Sequence, residues 1–145
     1  MVNPALLLLL GWLAAGCSLF TVPVPNFPNA PEEVRSRPTL PSCGRETNVN
    51  GAGADVAART CFWDAYQARR PAEFISTVTT IEGDPITFIY RVLPNGRAEV
   101  FVDSTQDRFG SRTWARLDCT RLEPIPGGQI QPDFGPADCT EAILR

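Results

Sequence analysis

Histidine and lysine are both absent from the 145 residues, and all thirteen basic residues are arginine. Without histidine the chain cannot build a Ser-His-Asp triad, a Cys-His dyad or a His-ligated zinc site. The exclusive use of arginine points first to the base composition of the genome. The net charge is −3 and no block of basic residues occurs, so nothing indicates a nucleic-acid partner.

An apolar stretch lies near the N-terminus, from Pro4 to Gly16, and is 13 residues long. It is too short to cross a bilayer of about 30 Å as a helix, and it is typical of the central region of a signal peptide. It ends in Leu13-Ala14-Ala15-Gly16-Cys17, which resembles a bacterial lipobox. We therefore expect residues 1–16 to be a lipoprotein signal peptide and Cys17 to carry the lipid.

Two features depart from the usual lipoprotein pattern. Ala14 stands three residues before the cysteine, where leucine is commoner, and residues 1–3 contain no arginine or lysine. A start codon further upstream would account for the second feature. The alternative is an ordinary cleaved signal peptide followed by an unmodified Cys17. The lipoprotein interpretation predicts an extracytoplasmic protein that is anchored in the cell membrane or the outer membrane.

Residues 17–42 are expected to form a proline-rich tether after the lipidated cysteine. Six prolines fall between Ser18 and Ser42. Proline fixes φ and removes backbone donors, so we expect neither a helix nor a central strand here. The segment is predicted to be an extended spacer rather than a proline-rich recognition motif, because Pro28-x-x-Pro31 is followed by the acidic residues Glu32 and Glu33.

Residues 43–145 are predicted to form one small α+β domain. Residues 55–69 read as a helix that Asp55 caps, with Ala58, Cys61, Phe62 and Ala65 on one face, and Pro71 ends it. Residues 123–136 are rich in proline and glycine and are expected to be a loop closed by Cys139. The expected fold is one N-terminal helix packed on an antiparallel four-stranded β-meander, with strands at residues 74–81, 86–93, 97–103 and 112–119.

The turn Pro94-Asn95-Gly96 allows two registers for the central hairpin. A two-residue loop mixes apolar and polar residues on both faces. A three-residue loop with Gly96 in a left-handed conformation pairs Phe88 with Val102, Tyr90 with Val100 and Val92 with Ala98, all on one side. It also pairs Arg91 with Glu99. The three-residue loop is therefore predicted.

The four cysteines after Cys17 are predicted to form two disulfides, which staple the domain. Setting Cys17 aside leaves an even number, as an oxidising compartment requires. Of the three possible connectivities we favour Cys43–Cys61 and Cys119–Cys139, because both bridges close local loops. A four-cysteine metal site is the alternative, but the chain has no C-x-x-C spacing.

Two short motifs flank the predicted hairpin. Residues 80–86 read Thr-Ile-Glu-Gly-Asp-Pro-Ile, and residues 103–110 read Asp-Ser-Thr-Gln-Asp-Arg-Phe-Gly. These resemble the T-x-E-G-D-P-I and D-x-[ST]-x-D-x-F-G motifs of a bacterial domain family of unknown function, which occurs in secreted proteins and lipoproteins. Cys119 falls where that family tends to have a cysteine. The resemblance covers residues 74–122 and implies a small extracytoplasmic domain, without implying any chemistry.

The acidic residues of the two motifs form the candidate site. Successive turns of a meander alternate between the two ends of the sheet, so residues 82–85 and 104–111 are expected at one end, opposite Asn95-Gly96. Close carboxylates raise one another's pKa unless something compensates, and Arg108 and Arg112 are near in sequence. Asp and Gly are also common turn formers, which makes a structural role the main interpretation. The site residues are Glu82, Asp84, Asp103, Thr105 and Asp107.

Two other interpretations of these residues stay open. Asp103-x-Thr105-x-Asp107 places oxygens at alternate positions, as a calcium loop does, although Arg108 and Trp114 stand where such a loop has glycine and glutamate. Calcium is the one cofactor considered. A carboxylate-dependent hydrolase would use Glu82 with Asp84, or Asp103 with Asp107, as acid and base.

The small size of the domain and the absence of histidine and free thiols favour a non-catalytic function. We expect a binding or accessory module of the cell envelope. Its expected partners are the membrane, through the lipid anchor, and an envelope protein or ligand that the sequence does not identify.

Overall fold

A computed structural model describes residues 27–128 and 130–145, and its centre is a six-stranded mixed sheet. The strands lie side by side in chain order; β1 and β2 are parallel, and the other neighbours are antiparallel. The fold is α+β, as predicted. The elements are α1 (Glu32–Arg35), β1 (Ser42–Asn48), α2 (Val56–Gln67), β2 (Ala72–Thr79), β3 (Pro85–Val92), β4 (Ala98–Asp103), β5 (Trp114–Pro124) and β6 (Phe134–Leu144).

Helix α2 forms where the sequence predicts a helix. The Asp55 side chain accepts a hydrogen bond from the Ala58 amide at 3.0 Å, which satisfies one free donor of the first turn. The helix ends before Arg69, whose φ is 52°, and Pro71 follows. The face with Phe62 lies on the sheet, where Phe62 is fully buried. The aromatic residues of α2 therefore belong to the core.

The hairpin of β3 and β4 has the predicted register. Tyr90 pairs with Val100 and Arg91 pairs with Glu99. The Leu93 amide donates to the Arg97 carbonyl at 2.9 Å, so the connecting loop contains three residues, and Gly96 has φ 78°. The apolar pairs of this hairpin lie in the core below α2, which is why only this register buries them together.

The predicted four-stranded meander lacks two strands of the observed sheet, β1 and β6. Residues 42–48 read as polar, yet they pair with β2 and place Glu46 against α2. Residues 123–136 were expected to be a loop, but β5 continues to Pro124 and β6 begins at Phe134. Proline is compatible with β6 because this strand lies at the edge of the sheet, where a missing backbone donor costs little.

The expected extended tether is wrong from Phe27 onward. This part of the chain packs on the face of the sheet that α2 leaves uncovered, and it contains the short helix α1. Val34 is fully buried there with Ile89 and Phe101. The prolines do not prevent this packing, because the segment needs only one helical turn to bring its apolar residues onto the sheet. Residues 17–26 of the predicted tether lie outside the described residues.

Both predicted disulfides are present, Cys43–Cys61 and Cys119–Cys139. The first joins β1 to α2 and the second joins β5 to β6, where the two cysteines are directly paired. Each bridge therefore ties one of the unpredicted strands to its neighbour. Two disulfides indicate an oxidising, extracytoplasmic environment.

Candidate functional site

The two sequence motifs meet at one end of the sheet, as predicted. We call this end the loop end and define it by the β2–β3 turn, residues 80–84, and the β4–β5 loop, residues 104–113. Arg108 connects them: its amide donates to Asp84 Oδ2 at 3.0 Å and its Nε donates to Oδ1 at 2.8 Å. Its Nη2 also donates to the Glu82 carbonyl at 3.2 Å. Asp84 is 6 % exposed, so this contact is shielded from water on the carboxylate side.

The first motif is a turn that its own side chains stabilise. The Asp84 amide donates to Thr80 Oγ1 at 3.1 Å, and the Thr80 amide donates to the Asp84 carbonyl at 2.8 Å. Gly83 has φ 87°, a conformation that strains any residue with a Cβ. Thr80, Gly83 and Asp84 therefore shape the backbone, while Glu82 is exposed and makes its contact to Arg108 through its carbonyl.

The second motif is a loop that is held by two aspartates. Asp103 Oδ1 accepts from the Thr105 amide at 3.0 Å and from the Thr105 hydroxyl at 2.6 Å. Asp107 Oδ1 accepts from the Phe109 and Gly110 amides at 3.0 and 2.9 Å. A Cβ on Gly110 would lie 2.3 Å from Asp107 Oδ2, so a larger residue here would have to displace the Asp107 carboxylate. The motif residues thus have identifiable structural roles.

The structure does not gather the predicted calcium ligands into a metal site. Asp84, Asp103 and Asp107 each bond to backbone amides, and Asp84 also binds the Arg108 side chain. Within residues 27–128 and 130–145, no three His, Cys, Asp or Glu side chains are arranged to hold a metal ion. The observed contacts of these aspartates are those of turn formation, and calcium binding stays a prediction.

The loop end presents two apolar side chains to solvent. Ile81 is 97 % exposed and Phe109 is 77 % exposed. Arg108 joins the two segments that carry them: its guanidinium carbon is 6.0 Å from the centre of the Phe109 ring, and its Nη2 donates to the carbonyl of Glu82, the residue after Ile81. Sequence reasoning placed both apolar residues in the motifs but gave neither a role. The sequence did contain an indication: each is a large apolar residue in a turn, and the polar residues beside it form hydrogen bonds with the backbone of that turn.

An open groove adjoins the loop end on the face covered by the N-terminal segment. It has a volume of about 400 Å³ and lies between residues 27–30 and the start of the β4–β5 loop. Its lining includes Asp103, Thr105, Phe27 and Trp114, and the ring centres of Phe27 and Trp114 are 5.7 Å apart. The groove thus joins the beginning of the described chain to the second motif.

A buried ion pair lies under α2, away from the loop motifs, and was not predicted. Glu46 accepts from Arg59 Nη2 at 2.5 Å and from the Ser76 hydroxyl at 2.7 Å. Burial alone would raise the pKa of Glu46, but these hydrogen bonds, with one from the backbone of residue 55, outweigh it and lower the pKa. Burial alone would lower the pKa of Arg59, but Glu46 and Asp133 raise it.

Burial also raises the pKa of Tyr90 well above its ordinary value, so this phenol is neutral at physiological pH. Tyr90 packs between aromatic core residues, including Phe62 and Phe134. The polar residues beneath α2 are each paired, and their contacts join β1, β2, α2 and the approach to β6. They fix the architecture and present no side chain to a ligand.

Cys17, the predicted lipidation site, lies outside the described residues. In the part of the chain that the structure covers, no helix is long and apolar enough to cross a membrane. No protein-family model, no curated protein and no solved structure matches this chain. The resemblance to the domain family of unknown function therefore stays a prediction that rests on the two motifs.

Proposed function

We propose that this chain is a lipoprotein of the cell envelope that is anchored through Cys17 and acts as a non-catalytic binding or accessory module. Its membrane is the cell membrane or the outer membrane. The observation that carries the proposal is that polar and apolar side chains have different roles at the loop end. The carboxylates of Asp84, Asp103 and Asp107 stabilise the loops, and Ile81 and Phe109 are the large apolar side chains that these loops leave in water. Exposed apolar side chains that lie close together are typical of contact surfaces, and Arg108 joins the turn that carries Ile81 to the loop that carries Phe109.

The same contacts argue against the hydrolase alternative. A catalytic carboxylate exchanges a proton with the substrate and must reach it. Asp84 is held by Arg108, and Asp107 is held by two amides of its own loop. Using either as an acid or base would break the contacts that shape the loop end. A structural role for these residues needs no such rearrangement.

The anchor is supported by the short apolar stretch that ends in Ala14-Ala15-Gly16-Cys17 and by the disulfides of the domain. The disulfides indicate export, and export requires a targeting segment such as the one observed. A lipid on Cys17 would remove the fifth cysteine from the thiol pool and leave only bridged pairs.

Mass spectrometry of the full chain expressed in a bacterial host tests the anchor. We expect the wild type in the membrane fraction, with a mature N-terminus at Cys17 and the added mass of a diacylglycerol. Cys17→Ser should lose both the added mass and the membrane association. Ser18→Ala is the matched control, because it leaves the thiol and the residues before it unchanged. An unmodified Cys17, or a mature N-terminus elsewhere, would contradict the proposal.

Affinity capture from solubilised envelope, which contains both proteins and lipids, tests the binding function. The bait is the mature domain, and the comparison is the double variant Ile81→Ser/Phe109→Ser. Ile125→Ser is the matched control, since Ile125 is also a partly exposed apolar residue but lies at the end of β5 opposite the loop end. We expect specific retention by the wild type and the control, and its loss in the double variant. Equal retention by all three proteins would count against a binding surface here.

A further inference from the structure

Exposed apolar side chains concentrate at the loop end. Ile81 and Phe109 occupy its turn and loop, and two more residues lie where neighbouring strands end on the same side. Val49 follows the last residue of β1, and Ile143 is the penultimate residue of β6; they are 47 % and 53 % exposed. Six large apolar side chains are exposed in the described parts of the chain, and these four share one end of the sheet.

The described chain begins beside the loop end, because Phe27 lines the groove that adjoins it. The Phe27 ring packs edge-on against Trp114, and Trp114 pairs with Asp103 at the end of β4. Phe27 follows Cys17 by ten residues, and that length of chain spans at most about 36 Å. The opposite end of the sheet lies further away by the length of β3, which is about 26 Å for eight residues. To bring that end to the anchor, the connection would have to run back along the sheet.

The charges at the two ends of the sheet would favour the opposite orientation on an anionic membrane. The loop end, taken together with Asp103 at the end of β4, has a formal charge of −2, from Glu82, Asp84, Asp103 and Asp107 against Arg108 and Arg112. Three exposed arginines, Arg69, Arg70 and Arg97, lie around the opposite turn, where Arg69 and Gly96 line the same shallow depression. Electrostatic attraction to an anionic surface would therefore turn the opposite end towards it. Contact at the loop end has to come from its apolar side chains.

We propose that Ile81 and Phe109 dock the loop end onto the lipid bilayer in which Cys17 is anchored, so that the strands point away from the membrane. The inference deepens the proposed function and rests on its anchor. Anchoring confines the domain to the membrane surface, so two apolar side chains are sufficient to select an orientation without binding free vesicles strongly. The Arg108–Asp84 contact keeps both side chains at the same end.

Tryptophan quenching by brominated lipid tests this orientation. The mature chain, with both disulfides formed, has Cys17 as its one free thiol and can be coupled to a maleimide lipid in phosphatidylcholine vesicles. The phosphatidylcholine carries bromine in its acyl chains. Phe109→Trp reports on the loop end, and Asn95→Trp reports on the opposite turn. The wild type, with Trp63 and Trp114, gives the background.

We expect quenching above the background for Phe109→Trp and none for Asn95→Trp. Adding Ile81→Ser to Phe109→Trp should reduce the quenching, because one of the two docking side chains is then polar. All substituted positions are solvent-exposed, and Asn95 accepts a hydrogen bond from the Arg97 amide at 3.0 Å, which Asn95→Trp removes. Melting curves check that each variant is folded at the temperature of the measurement. Equal quenching of the two reporters, or none above background, would overturn the proposal.

Vesicles that contain phosphatidylglycerol separate apolar docking from attraction by charge. Apolar docking predicts that Phe109→Trp stays the more strongly quenched reporter in these vesicles. Stronger quenching of Asn95→Trp would show that the arginines orient the domain, and it would refute docking through Ile81 and Phe109. Chemical coupling makes the result independent of lipidation in cells. A failure of the anchor in the bacterial experiment and a failure of docking are thus distinguished.

Discussion

Glu73 holds the N-terminal segment on the sheet, and we expect Glu73→Gln to loosen that packing. Its carboxylate accepts two hydrogen bonds from Arg37 and one from Arg91, each at 3.1 Å. All three side chains are at least 95 % buried. Removing the negative charge leaves two guanidinium groups in a site that is shielded from water.

The expected loss follows from the partners that remain. Removing one member of a buried ion pair costs about 3–5 kcal/mol, because an uncompensated charge stays buried. Arg91 keeps Glu99 and the Pro38 carbonyl, each at 2.5 Å. Arg37 keeps one hydrogen bond, to the Val34 carbonyl at 2.7 Å, and its position 5.7 Å from the centre of the Phe27 ring. We therefore expect the lower end of the range, about 3 kcal/mol, carried mainly by Arg37. For a domain of this size that lowers the melting temperature by more than about 10 °C.

Urea unfolding of the oxidised mature domain, followed by circular dichroism, measures this loss. Glu123→Gln is the matched control, because Glu123 pairs with Arg121 at 3.4 Å on an exposed surface, and it should cost less than about 1 kcal/mol. Arg37→Met with Glu73→Met should cost less than Glu73→Met alone, because the stranded charge is removed too. If Glu73→Gln lies within about 1 kcal/mol of the wild type, the cluster is solvated and the reasoning fails.

Three further outcomes are expected in the same domain. Folding lowers the pKa of Glu46 below its ordinary value of 4.5. The ionised carboxylate therefore stabilises the fold above pH 4.5, and this contribution is lost as the pH falls through the lowered pKa. In Glu46→Gln the melting temperature should depend less on pH in this acidic range. Asp84→Asn should cost about 1–3 kcal/mol and speed amide exchange at Arg108, unlike the exposed change Glu82→Gln. Thiol titration of the unfolded, unreduced mature protein should find no reactive thiol among Cys43, Cys61, Cys119 and Cys139, and any found there would contradict the bridges.

Local patterns in the sequence predicted α2, the central hairpin and the disulfides. The Asp55 cap and the apolar spacing of α2 are set within a few residues, and the hairpin register follows from its three-residue turn and its apolar pairs. The bridge Cys119–Cys139 was predicted because its loop is short. In each case the deciding interaction joins residues that are close in sequence.

The rest of the fold depends on contacts that the sequence does not reveal locally. Strand β1 lacks an apolar pattern because its buried residue is Glu46, whose charge is compensated by Arg59 thirteen residues later. The start of strand β6 lies in a stretch rich in proline and glycine, which predicts a loop, but the strand pairs with β5 from Trp114 to Pro124. The N-terminal segment covers the second face because Ile75, Ile89 and Phe101 line up across three strands, an alignment that exists only once the sheet has formed.

The acidic motif at the loop end shows why alternate oxygens need not mean a metal site. An aspartate that closes a turn accepts the amide two residues ahead, as Asp103 does from Thr105 and Asp107 does from Phe109. Two such turns in succession produce the spacing of a calcium loop while pointing each carboxylate at its own backbone. The same bond fixes the Phe109 amide and leaves its ring 77 % exposed. An apolar ring held in water adds little to the stability of its own loop, and it is available to the contact surface proposed above.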